Sequence, residues 1–133
     1  MEKVSEQVID QRIRNRVIEW LERAASFSNQ TEYQLAVPGI NFPYELVNSF
    51  EDWVHGDPRS VTLPDIFSAD ESEAISVTYG AWDAAADALP DTYPSLADAQ
   101  ALPEWEVLRS AAERALVIFA IRGRFSEDDE ADG

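Results

Sequence analysis

The 133 residues contain no cysteine. Disulfides, thiolate nucleophiles and cysteine-ligated zinc or iron–sulfur centres are excluded together. The absence also fits a reducing cytoplasm. Lysine is nearly missing, Lys3 being the one lysine among ten cations. Histidine occurs once, at His55. Five glycines leave little material for a loop that cradles phosphate, and the sequence has neither a dinucleotide fingerprint nor a Gly-x-Ser-x-Gly elbow. Long apolar runs are lacking too. The longest, Ala115 to Ile121, is far short of the roughly 20 residues that cross a bilayer. The stretch Met1-Glu2-Lys3-Val4-Ser5-Glu6 carries acids where a secretory signal would be basic and then apolar. The expected location is cytoplasmic.

What the chain has in excess is negative charge: 26 acids against 10 Lys and Arg, a net of -16. Nucleic acid and anionic membrane carry the same sign, so neither is expected as a direct partner. A basic protein is. The charge is also uneven. From Met1 to Ser26 acids and bases balance, whereas from Phe27 to Val107 fifteen acids face a single base, Arg59. From Leu108 to Phe125 four arginines face one acid, and the last eight residues add five more acids. Selection for stability alone would intersperse the signs. Arginines of the terminal helices are expected to pair with part of the acid excess, but ten cations cannot neutralise 26 carboxylates. A lysine-poor, acid-rich surface also suits a salty interior or simple solubility.

Hydrophobic periodicity predicts a helix over Val4 to Ser26, with Ile9, Ile13, Val17, Trp20 and Ala24 as its stripe. On its outer side, Asp10 to Arg14 and Glu19 to Arg23 have the favourable acid-first spacing of four. Phe27 to Phe42 reads as an ordered loop with one helical turn: Thr31 and Gln34 offer a capping box, while Tyr33, Leu35 and Val37 alternate like a short strand. Val37-Pro38-Gly39 ends either form. Pro43 suits the first turn of a second helix reaching about Val54, stopped by His55-Gly56-Asp57-Pro58. Val61 to Phe67 is a loop pinned by its apolar residues. Ser68-Ala69-Asp70-Glu71 is a capping box opening a third helix, whose seam is Ile75, Tyr79, Trp82, Ala86 and Leu89. Gly80 within it suggests a close approach by a neighbour. Ser95 and Asp98 mark a short helix, and a last one runs from about Glu104 to Arg122, stopped by Gly123.

The fold expected is mainly α: an irregular bundle of about four main helices with long loops and a minor two-stranded element at most. It forms one domain over 1–125, followed by an acidic disordered tail over 126–133. The four tryptophans, Trp20, Trp53, Trp82 and Trp105, are expected to build one aromatic core, Trp53 being the one to look for at the surface.

Chemistry-bearing patterns are sparse. Asp52-Trp-Val-His55 has the carboxylate-x-x-His spacing of a helical metal ligand pair, but a dinuclear bundle site needs that motif twice. No metal and no cofactor are expected, nor does anything select a catalytic carboxylate pair. An enzyme is the less expected outcome. The candidate partner-binding residues are Glu45, Glu51, Asp52 and Trp53 on the second helix and Asp70, Glu73, Asp83, Asp87 and Asp91 on and just beyond the third. Together they form an anionic face with an aromatic anchor, suited to steering and holding a cationic partner. Taken singly, each acid reads more simply as solvated surface.

Small, acidic, cysteine-free and without catalytic apparatus, the chain has the general style of an immunity (antitoxin) protein that occludes a basic toxin such as a nuclease. That likeness is of type, with no motif of a particular immunity family. A nucleic-acid mimic is a close variant. The alternative from another class is a scaffolding subunit that self-assembles through its apolar last helix, and either a monomer or a homodimer is compatible with the sequence.

Overall fold

The computed structural model describes residues 4–53, 66–90 and 94–131, without the side chains of Asp52 and Trp53. Among these residues six helices follow one another and no strand occurs: α1 Glu6–Ala24, α2 Phe27–Ala36, α3 Phe42–Trp53, α4 Ala69–Ala88, α5 Leu96–Gln100 and α6 Pro103–Phe119. The chain is mainly α, as its periodicity predicts.

Serines begin four of the helices. Ser5, Ser26, Ser68 and Ser95 each accept a hydrogen bond from the backbone N–H three residues on, at 3.1 to 3.2 Å. Each bond satisfies one of the amides that a helix start leaves open. Asn41 does the same for α3, its Oδ1 accepting from Tyr44 N at 3.1 Å. Pro103 opens α6 at a position where its missing N–H costs nothing. At the other end Gly123 takes φ +72°, a left-handed value that only glycine adopts readily, as the chain turns away from the helix.

α4 and α6 form the most extensive helix pair, and α1 packs across α6 and α3. They run antiparallel, since Phe67, just before α4, meets Phe119, at the end of α6, edge to face at 6.1 Å. α3 is also antiparallel to α4. Tyr44 donates its hydroxyl proton to the Pro90 carbonyl, Trp82 Nε1 donates to Val47 O at 2.9 Å, and Phe50 lies 6.2 Å from Tyr79. At the centre Phe50 stacks on Trp20 at 4.5 Å and on Trp82 at 5.1 Å. Trp20, Trp82 and Trp105 are buried, and each indole N–H has an acceptor: Leu46 O, Val47 O and Gln30 Oε1. Burying such rings stabilises the fold by roughly 1.5–3 kcal/mol apiece. Trp53, the expected exception, has its side chain outside the described residues.

Four expectations are corrected. The segment after α1 is a helix of ten residues, α2, and carries no strand. Its cap is Ser26, while Thr31 bonds back to Phe27 O inside the helix. Gln34 instead links α2 to the start of α3, its Oε1 accepting from Phe42 N at 3.0 Å. Gly80 is exposed, and a Cβ there would meet nothing within 4 Å, so no neighbour's approach accounts for it. On α1 Val8 and the second half of the apolar stripe are buried, but the stripe is interrupted in the first half. Ile9 is 46% exposed, while Gln11, Arg14 and Asn15 are buried.

The fourth correction concerns the tail, which in its described part is not free. Residues 126–131 lie along α1 and use its buried polar side chains. Gln11 Nε2 donates to Ser126 O and Asp129 O, both at 2.8 Å, and Gln11 Oε1 accepts from Ala131 N at 2.7 Å. Asn15 brackets Phe125, donating to its carbonyl at 2.8 Å and accepting from its N–H at 3.0 Å. Glu127 pairs with Arg16 at 2.5 Å.

Candidate functional site

Two groups of charges occupy different places. The first is buried. Arg14, on α1, is fully buried and forms a two-pronged pair with Glu71 on α4, at 2.7 and 2.9 Å. The same guanidinium donates to Ile66 O at 2.8 Å and to Gly123 O at 2.8 and 3.1 Å. Phe119 and Phe125 cover it at 4.9 and 4.3 Å from the ring centroids. Arg122, beyond α6, adds a second pair to Glu71 at 2.7 Å. Glu71 still completes the capping box, accepting from Ser68 N at 2.8 Å. Burial pushes its carboxyl up, but the bonds from Arg14, Arg122 and the Ser68 backbone outweigh it and hold the group at about 2.

This cluster ties α1, the turn before α4, α4 itself and the chain after α6 to one another. Every donor of Arg14 points inward to a satisfied acceptor, so the carboxylate is neither a proton donor nor free to hold a ligand. The sequence hides it. Asp10 sits four residues before Arg14 and offers an obvious surface partner, yet no such pair forms. Asp10 instead has its carboxyl pushed up, by burial and by Glu6. The signal that was there is the capping box, which singled out Glu71.

The second group is the candidate anionic face. Glu45, Glu51, Asp70, Glu73, Asp83 and Asp87 are all exposed. Among the described residues none of the six makes an ion pair. The arginines are engaged elsewhere: Arg16 with Glu19 and Glu127, Arg124 with Glu19 and Glu22, Arg109 with Glu106 and Glu113. Arg23 covers the Tyr33 ring at 4.4 Å. Among the described residues, pairing thus stays mostly on the terminal helices and the tail, and the acidic stretch from Phe27 to Val107 contributes Glu71 and Glu106.

The acids do not make one patch. Glu51 follows Phe50 and Asp83 follows Trp82, so these two positions border the seam between α3 and α4, with Asp87 one turn beyond. Asp70 and Glu73 lie at the other end of α4, along a groove shared with α6. Glu45 is on the first turn of α3. The side chains of Asp52 and Trp53, and Asp91 and His55 altogether, lie outside the described residues. Among the described residues no group of three His, Asp or Glu could hold a metal ion, and no helix is long and apolar enough to cross a membrane. No protein-family model matches the chain, and no curated protein or solved structure shows significant similarity to it.

Proposed function

We propose that the chain acts by binding a basic protein, which it occludes through the exposed carboxylates flanking the α3–α4 seam. Glu51, Asp83 and Asp87 are central to this reading, and Glu45, Asp52 and Trp53 belong to α3, while Asp91 follows α4 in the sequence. The observation that carries it is that, among the described residues, Glu45, Glu51, Asp83 and Asp87 make no ion pair while Arg16, Arg109 and Arg124 spend their charge on other carboxylates. Asp83 and Asp87 are four apart on one helix, a like-charge spacing that disfavours the isolated helix. Such a surface steers a cationic partner and selects it by sign. The inward closure of the Arg14–Glu71 cluster adds support, because the carboxylate most strongly perturbed among the described residues offers nothing to a substrate. The action resembles in kind that of an immunity protein on a basic toxin.

The test is capture from host lysate by the tagged chain, washed at rising salt, against an Asp83→Lys/Asp87→Lys variant. A basic protein retained at low salt and released at high salt, with at least about tenfold weaker capture by the variant, is the expected result. Equal capture by both forms, or no basic protein at any salt, rejects the reading.

A further inference from the structure

The groove between α4 and α6 has a volume of about 320 Å³ and an apolar floor. On α6 and in the turn after it, Val107, Ala111, Arg114, Ile118 and Ile121 follow one another at spacings of four, three, four and three, the last four of them lining the groove. The core seam of the same helix is Trp105, Leu108, Ala112, Ala115 and Phe119, of which Ala115 also lines the groove. On α4 the matching run is Asp70, Ala74, Val77 and Ala81. Two seams with this spacing on adjacent antiparallel helices are half of a four-helix bundle. The alanines allow close approach, and the larger residues stand out of the groove: Val77 is 54% exposed, Val107 56% and Ile121 79%. Within α6, Val107 to Ile118 covers about 17 Å of helix, three turns of continuous interface.

The charges on the rim say what fits. Asp70 and Glu73 stand on the α4 side without an ion pair, while Arg114 stands on the α6 side. Arg114 bonds only to Ser110 of its own helix, at 3.4 and 3.5 Å. A uniformly basic partner would meet Arg114, and a uniformly acidic one would meet Asp70 and Glu73. A surface carrying both signs, turned by a two-fold rotation, satisfies both edges, and this face is itself such a surface.

We propose that the α4–α6 groove is a homodimer interface, in which a second copy completes a four-helix bundle and each Arg114 meets Asp70 and Glu73 of the partner subunit. A polar residue within an apolar seam is a known way to fix register and partner number. The inference stands independently of the basic-partner reading, which rests on acids at the other end of α4. Salt separates the two. Copies with a net charge of -16 repel each other, so dimerisation tightens as ionic strength rises from low values, whereas capture of a basic partner weakens.

Sedimentation equilibrium of the full chain, from low micromolar to near-millimolar concentration, tests this. The expected result is a monomer–dimer equilibrium. Val77→Glu should raise the dimer dissociation constant by about a hundredfold or more while leaving helicity unchanged, because the site is exposed in the monomer. Arg114→Asp should also weaken the dimer, and Asp70→Arg added to it should restore it, an outcome that a local effect on folding would not give. A chain that stays monomeric throughout, a dimer indifferent to Val77→Glu, or a charge swap without rescue overturns the proposal.

Discussion

Glu71 carries more of the fold than any other single carboxylate described. Two arginines and a backbone amide hold it at about 2, against an ordinary 4.5. Because the folded group titrates lower than the unfolded one, its stabilisation is complete above about pH 4.5 and is lost as the pH falls towards 2. Over that window the loss amounts to about 3 kcal/mol. Glu71→Gln should cost a similar about 3–5 kcal/mol at neutral pH, since it leaves the Arg14 charge buried without a counter-ion. Replacing the buried pair together, Arg14→Met with Glu71→Leu, should cost clearly less than either single change, because no charge is stranded. Urea unfolding at pH 7 and at pH 3 checks both points: the difference between wild type and Glu71→Gln should shrink at the lower pH. A difference that does not shrink would mean the carboxylate is not the group being lost.

At the level of elements, the described part of the tail behaves as a seventh piece of structure. Deleting residues 126–133 removes the acceptors of Gln11 and the Glu127 partner of Asn15 and Arg16. The exposed groups can then bond water, so the expected loss is about 1–2 kcal/mol, short of the full penalty for buried unsatisfied groups. A shift in the urea midpoint without a change in helicity is the sign to look for, and an unchanged midpoint would show the contacts contribute nothing. The same element explains why sequence reading stopped where it did. Helix starts were legible because Ser68 and Ser95 act through neighbours three residues away, whereas α6 ends at Phe119, before the stop expected at Gly123. The tail and α2 were not, because both are polar in composition and are held by distant residues. Gln30 is buried and accepts from Trp105 Nε1, far along the chain, at 3.1 Å. Gln11, Arg14 and Asn15 broke the apolar stripe of α1 for the same reason. Binary patterning reads buried polar residues as surface, and a chain with several of them misleads it. The acids of the candidate face were legible as exposed positions, since they fall off the Ile75–Trp82–Leu89 seam. Which end of α4 borders α3 and which borders the α6 groove depended on where those helices pack, which periodicity does not reveal.

For the whole molecule the decisive quantity is the imbalance left after pairing. Among the described residues, arginines of the two ends of the chain pair with carboxylates there and with Glu71, and the exposed acids of α3 and α4 keep their charge. Self-repulsion of this kind destabilises the compact state, and screening relieves it within a distance set by the salt, about 10 Å at 0.1 M and about 3 Å at 1 M. Two opposing contributions therefore compete when salt is added. The exposed pairs around Arg16, Arg109 and Arg124 weaken, each being worth at most about 1 kcal/mol. The repulsion among unpaired carboxylates, which outnumber those pairs, weakens as well. The second contribution should win, so the Tm should rise with sodium chloride from low ionic strength, steeply at first. Asp83→Asn/Asp87→Asn should raise the Tm at low salt and flatten its salt dependence, because it removes part of the repulsion that salt would otherwise screen. Thermal melts of both proteins across a salt series decide the matter. If the variant melts no higher than the wild type at low salt, these carboxylates do not strain the free protein, and the argument that they are retained at a cost for a cationic partner loses its energetic basis.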